Sequence, residues 1–95
     1  MNTNTIKDLA LGQIVATSGA LAALEAAGQA PLLFILRHIR RDWGEVCPED
    51  WKANDEAAEN GSRVLSAYRT SLGERIWIIT EWDRSVTTIL LPDEY

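Results

Sequence analysis

The chain has 95 residues, 46% hydrophobic and 24% charged, which is one small domain with a thin core and not a disordered chain. Nine basic against 14 acidic side chains leave a net charge of −5, which disfavours an ordinary nucleic-acid binder, since that class carries a basic excess to neutralise phosphates. One Cys and one His exclude an intrachain disulfide, a zinc-ligand set and a His-rich metal site, so neither metal nor cofactor is expected, and no apolar run approaches the ~18 residues of a membrane span.

Residues 1–8 are polar and offer no core anchor beyond Ile6, so they are expected to fray. They lack the basic stretch and apolar core of a secretory signal, and no lipidation motif is present. With the free Cys, this predicts a cytoplasmic protein and no membrane partner. Residues 11–17 are short and carry Ile14 and Val15 at their centre. They read either as an extended lead-in or as a small edge strand.

Thr17 or Ser18 then offers a helix N-cap oxygen, and Gly28 stands where a left-handed C-cap belongs. The alanine-rich helix between them is expected to bury Leu21 and Leu24. Pro31 starts a second helix. Its Leu32, Ile35, Leu36 and Ile39 fall at the spacing 0, 3, 4, 7, which predicts one apolar face, widened by Leu33 and Phe34. Arg37, Arg40 and Arg41 complement the helix dipole, and Gly44 reads as the stop. Pro48 starts a third helix that runs to about Asn60, with Gly61 as C-cap. Trp51 and Ala58, with Ala57 beside them, are expected to pin this otherwise wet helix to the core.

After Gly61 the period changes to alternation. Residues 63–70, 75–81 and 86–91 predict three strands, joined by turns at 72–74 and 82–85 and ended by Pro92, which cannot donate to a ladder. Connections this short force antiparallel hairpins. The fold class expected is α+β, a single domain over 1–95 with N-terminal helices packed on a C-terminal three-stranded antiparallel meander, the second helix lying on the sheet.

The strings Arg63-Val64-Leu65-Ser66-Ala67-Tyr68 and Trp77-Ile78-Ile79-Thr80-Glu81-Trp82-Asp83-Arg84-Ser85-Val86-Thr87-Thr88-Ile89-Leu90-Leu91-Pro92 resemble a group of short bacterial proteins carried on plasmids and prophages. Leu11-Gly12-Gln13-Ile14-Val15-Ala16-Thr17 and Asp42-Trp43-Gly44 extend the likeness over most of the chain. It implies an association with mobile elements and no particular activity. The order helices, Arg-bearing strand, aromatic-rich strand, Thr-rich strand is also similar to the barnase–colicin–RelE-like ribonuclease superfamily. In that likeness Arg63 matches a phosphate-binding arginine, and the Asp83-Arg84 turn matches one that bears a catalytic histidine. The turn here has no His, and no Glu sits where a general base is expected.

Three sets of residues carry candidate chemistry. Arg63, Arg69, Arg75 and Arg84, with Ser66, Tyr68, Thr80 and Thr88 as donors, could clamp a phosphate; a ribonuclease-like toxin would rest on Arg63, Tyr68, Arg84 and Thr88. The plainer expectation is that these arginines solvate the sheet and pair with Glu74, Glu81 and Asp83. His38 among cations could act as a base, alone or with Cys47 at a helix start, yet no Ser, Cys or carboxylate adjoins it in sequence. The third set is acidic: Asp42, Glu45, Glu49, Asp50, Asp55, Glu56 and Glu59 against one base, Lys52. With Trp43, Trp51 and Trp82 as aromatic anchors it predicts a non-enzymatic docking face for a basic protein surface, such as that of a host nucleic-acid-handling complex. An anti-restriction or anti-CRISPR inhibitor is the most concrete version. A self-associating accessory protein is the third reading.

Overall fold

A computed structural model describes residues 8–95. The expected fraying of residues 1–8 falls almost wholly outside the described residues. The order is β1 (Gln13–Ala16), α1 (Ser18–Ala27), α2 (Pro31–Ile39), α3 (Pro48–Asn60), β2 (Val64–Arg69), β3 (Arg75–Thr80), β4 (Val86–Leu90) and a final 3-10 turn at Pro92–Glu94. The α+β class is as expected, and both antiparallel hairpins of the meander are present, with Val64 opposite Thr80 and Thr80 opposite Thr87.

The sheet is not a three-stranded antiparallel meander. It has four strands in the order β1-β4-β3-β2 and is mixed, because β1 lies parallel to β4. Of the two readings of residues 11–17 the small edge strand is the one found, over Gln13–Ala16. Everything from α1 to β3 serves as the long crossover that a parallel pair requires. Gly12 makes the entry possible. Its φ is 64°, and a Cβ there would strike the backbone of Arg84 and Ser85, so only glycine lets β1 slide in beside the β3–β4 turn.

The helix ends follow local chemistry. Thr17 caps α1 by accepting the Ala20 N–H at 3.1 Å, and Gly28 closes it in the left-handed region. Pro31 and Pro48 open α2 and α3, and Gly61 closes α3. Gly44 does not stop α2, which ends at Ile39. Arg41 takes the left-handed conformation there, at φ 65°. Gly44 instead lies so close to Ala67 and Tyr68 that no Cβ fits.

Three buried faces differ from expectation. In α1 the buried residues are Ala20, Ala23 and Leu24, while Leu21 is exposed. In α2 they are Phe34, Ile35 and His38; Leu32 is 58% exposed, and Leu33 and Leu36 also face out. The stripe is turned so that a histidine replaces a leucine, which is tolerable because both ring nitrogens are hydrogen-bonded. In α3 they are Asn54 and Ala57, whereas Trp51 is exposed and Ala58 half-buried. The large aromatic that holds α3 is Trp43, fully buried against Leu9, Ala57 and Val64.

The main core joins Ala20, Leu24, Phe34 and Ile35 to Tyr68, Ile76, Ile78 and Ile89 on the helix-facing side of the sheet. Leu90 alternates to the opposite side of the sheet. The outer edge of β2 is closed by side chain and loop. The Asn54 amide donates to the Leu65 carbonyl at 2.8 Å and accepts the Leu65 N–H at 3.2 Å. Residues 43–45 continue the pairing, with Ala67 donating to the Trp43 carbonyl and Glu45 donating to that of Ala67. Replacing Asn54 with Leu strands both Leu65 groups. It should cost about 1–3 kcal/mol in urea denaturation, and a change within 0.5 kcal/mol would contradict this role.

Candidate functional site

His38 is the centre of a hydrogen-bonded chain that crosses the core. Its Nδ1 lies 2.6 Å from Ser66 Oγ and its Nε2 lies 2.8 Å from Thr80 Oγ1. Thr80 Oγ1 is 2.8 Å from Thr87 Oγ1, and the Thr87 hydroxyl donates to the Leu11 carbonyl at 2.8 Å. A carbonyl can only accept, so the direction of every bond follows. Thr87 gives its proton to Leu11 and accepts from Thr80. Thr80 in turn accepts from Nε2–H. Nδ1 is therefore unprotonated and accepts the Ser66 hydroxyl. The chain fixes one neutral tautomer. Burial holds the His38 pKa down at about 4, and the Arg84 charge adds to the effect.

Ser66 and His38 thus meet across 28 positions, although no Ser, Cys or carboxylate adjoins His38 in sequence. The pair has the geometry of a nucleophile and its base. Both residues are 0% exposed, and Trp43 stacks edge-on against the imidazole with centroids 5.6 Å apart. No substrate atom reaches Ser66 Oγ without unpacking the core. Cys47 is exposed at the N-cap of α3, whereas the imidazole is sealed beneath the sheet side chains, so no Cys–His dyad forms. Among the described residues no group of three His, Cys, Asp or Glu could hold a metal ion.

The four residues of the ribonuclease-like set do not converge. Tyr68 faces the helices, and its hydroxyl donates to the Asp42 carbonyl at 2.6 Å; burial pushes its pKa up to about 12. Thr88 lies on the other face of the sheet, opposite Ile79 and Val15. Arg63 donates to the Tyr95 hydroxyl and covers that ring. The Arg84 guanidinium is spent on three carbonyls, those of Ala57, Ser62 and Glu81, where it ties the β3–β4 turn to the end of α3. Of the other two arginines, Arg69 pairs with Glu45 at 2.8 Å, while Arg75 is exposed at the start of β3. No ion pair joins these arginines to Glu74, Glu81 or Asp83 among the described residues.

The acidic segment divides in two. Asp42 pairs with Arg37 at 2.8 Å, which holds its carboxyl below the usual range. Glu45 pairs with Arg69, Glu59 with Arg41 at 2.6 Å, and Asp55 accepts the Trp43 indole N–H at 2.9 Å. These four carboxylates are held in place by the protein's own donors, and three of them are neutralised. Glu49, Asp50 and Glu56 are exposed on α3 with no ion-pair partner among the described residues; Glu49 and Glu56, seven positions apart, share one flank of the helix, and Trp51 is exposed on the other. Asp50 also lines a groove of about 240 Å³ between α3 and β2, floored by Val46, Ala53 and Leu65 and bounded by Arg63 and Asn54. Trp43 is not part of this surface; the expectation of a loop-borne aromatic anchor is overturned by its complete burial. Trp51 and the strongly exposed Trp82 are the available anchors.

Sequence reasoning missed the polar chain and the Asn54 clamp. The chain did leave a signal: Ser66, Thr80 and Thr87 all fall on the inward phase of their strands, where Val64, Ile78 and Ile89 are apolar. Comparison of the chain with family models, with curated proteins and with solved structures finds no match in any of the three.

Proposed function

We propose that this protein is a non-enzymatic binding module that docks the outer face of α3 on a basic protein surface. The observation that carries the reading is that Glu49, Asp50 and Glu56 are exposed on α3 without ion-pair partners among the described residues and opposed on that helix by Lys52 alone, with Trp51 exposed on the same helix. Asp55 and Glu59 on the same helix, and Asp42 and Glu45 before it, have side chains already fixed by internal bonds, so docking on them loses little rotamer entropy. The resemblance to short plasmid and prophage proteins extends the proposal. The partner would be a host nucleic-acid-handling protein in the cytoplasm, and the role that of an inhibitor, anti-restriction or anti-CRISPR in kind.

The test is retention of a host protein on the immobilised full chain. A basic partner should bind at 0.05 M salt and be released at 0.5 M, since the screening length shrinks several-fold over that range. The triple variant Glu49→Lys, Asp50→Lys, Glu56→Lys should fail to retain it. Asp55 and Glu59 are unsuitable for charge reversal, because they bond Trp43 and Arg41. The same protein held equally by both forms would reduce α3 to a solvated helix. In parallel, the purified protein should not cleave RNA. Cleavage that disappears with Arg63→Ala would favour the ribonuclease-like reading instead.

A further inference from the structure

The two edges of the sheet are treated differently. On β2 the outward backbone groups are taken up by Asn54 and by residues 43–45. On β1 nothing comparable exists among the described residues. Gln13 and Thr17 donate to the Ser85 and Ile89 carbonyls, so by alternation Val15 also turns its backbone toward β4. The N–H and C=O groups of Ile14 and Ala16 then point away from the sheet. Among the described residues no Pro, bulge or charged side chain of β1 protects this edge, and three of its four side chains are apolar, with Ile14 46% and Val15 39% exposed. Natural proteins rarely leave such an edge bare.

We infer that a second copy of this chain pairs with β1, antiparallel and about a two-fold axis at Val15, joining the two sheets into one of eight strands. Charge selects this occupant. Residues 9–24 carry no ionisable side chain, in a chain of net charge −5. Two such chains repel on average, and at the centre of this band they meet without opposing like charges, since the carboxylate bonded to it, Glu94 on the Thr17 hydroxyl, sits at the strand's end. The hydrogen-bonding pattern is self-complementary. With the axis at Val15, Ile14 of each copy faces Ala16 of the other, and each of those two pairs exchanges both of its backbone bonds. Large Ile14 meets small Ala16 on the helix side, and the two Val15 side chains meet on the open side. Any other two-fold register leaves one of the outward residues without its bonds. A five-residue overlap is a small interface beside the ~1,200 Å² at the lower end of stable complexes, so the dimer should form progressively with concentration.

Sedimentation equilibrium of the full chain in reductant should show the mass rising from one chain toward two as concentration increases. Ile14→Pro removes an outward N–H that β4 does not use, and should hold the protein at one chain. Val15→Lys should do the same by opposing two cations at the axis, and it covers the case in which the proline variant misfolds. Register is read by cross-linking in a Cys47→Ser background. Val15 faces its own copy as a non-hydrogen-bonded pair, with Cα atoms roughly 4.5 Å apart, within disulfide range. Mild oxidation should therefore link Val15→Cys chains in pairs and leave Ile14→Cys chains single. The inference fails on any of three results: a wild type of one chain at every concentration, a folded Ile14→Pro or Val15→Lys variant that associates like wild type, or equal cross-linking at both positions. A full chain that stays single while one lacking residues 1–7 pairs would also overturn it, by showing that the protein's own leader occupies the edge.

Discussion

Truncating Trp43 to Ala should destabilise the protein by about 3–5 kcal/mol, the range for removing a buried indole. That is a large share of the 5–15 kcal/mol by which a domain is ordinarily stable. Trp43 joins parts that have few other links. Its ring packs on Leu9, Ala57 and Val64 and meets His38 edge-on, its N–H is fixed on Asp55, and its carbonyl accepts from Ala67 at the margin of the sheet. Trp43→Phe keeps most of the packing and loses the indole bond, so a loss of about 1–2 kcal/mol is expected. Trp82→Ala, at a ring 66% exposed, should stay within ~0.5 kcal/mol and serves as the control. Urea denaturation followed by circular dichroism measures all three. A Trp43→Ala variant within 1 kcal/mol of wild type would contradict the packing described.

Acid should weaken the fold through His38. Folding holds its pKa at about 4, against 6.5 in an unfolded chain. Between those values the unfolded state binds a proton that the folded state does not, so stability rises with pH across the window and falls on acidification through it. A gap of about 2.5 pH units at 1.36 kcal/mol each gives roughly 3 kcal/mol lost on going from above pH 6.5 to pH 4. Asp42 works in the same direction but lower, because its depressed pKa places its loss at more acid pH. The upper part of the window, pH 6.5 to 5, therefore belongs to His38, the chain's one histidine. Stability measured by urea at steps across it should slope downward with acid, and His38→Gln should flatten the slope even though it lowers stability at pH 7. An unchanged slope in that variant would assign the effect to another group.

Local signals carried much of the fold. Pro31, Pro48, Gly28 and Gly61 mark helix ends by backbone geometry alone, and alternation after Gly61 marks the three C-terminal strands. What escaped depends on partners far away in the chain. β1 is four residues long and is a strand only because β4, some seventy residues later, lies beside it. The buried face of α2 could not be read from Leu32, Ile35 and Leu36 alone, because the deciding contacts are those of His38 to Ser66 and Thr80. Apolar periodicity counts leucine as core and histidine as surface; three inward hydroxyls reverse that order here. Trp43 sits in a loop, where sequence places a ring in water, yet residues 43–45 pair with the β2 edge and carry it inside. For the candidate site, the acids between Asp42 and Glu59 were legible as a group from charge alone. Which of them stay unpaired depended on Arg37, Arg41 and Arg69, brought in from α2's end and β2.

The assignment of function to the surface depends on the Ser66–His38 pair being a sealed part of the core. Nitrogen-15 spectra of the imidazole decide this directly, because a single histidine gives a single pair of ring signals. The bonding chain predicts a neutral ring protonated on Nε2, with no titration until the pH falls to about 4. A ring that takes up its proton near pH 6.5, or that carries its neutral proton on Nδ1, would show His38 open to water or differently bonded. It would return Ser66 and His38 to candidacy as a reactive pair.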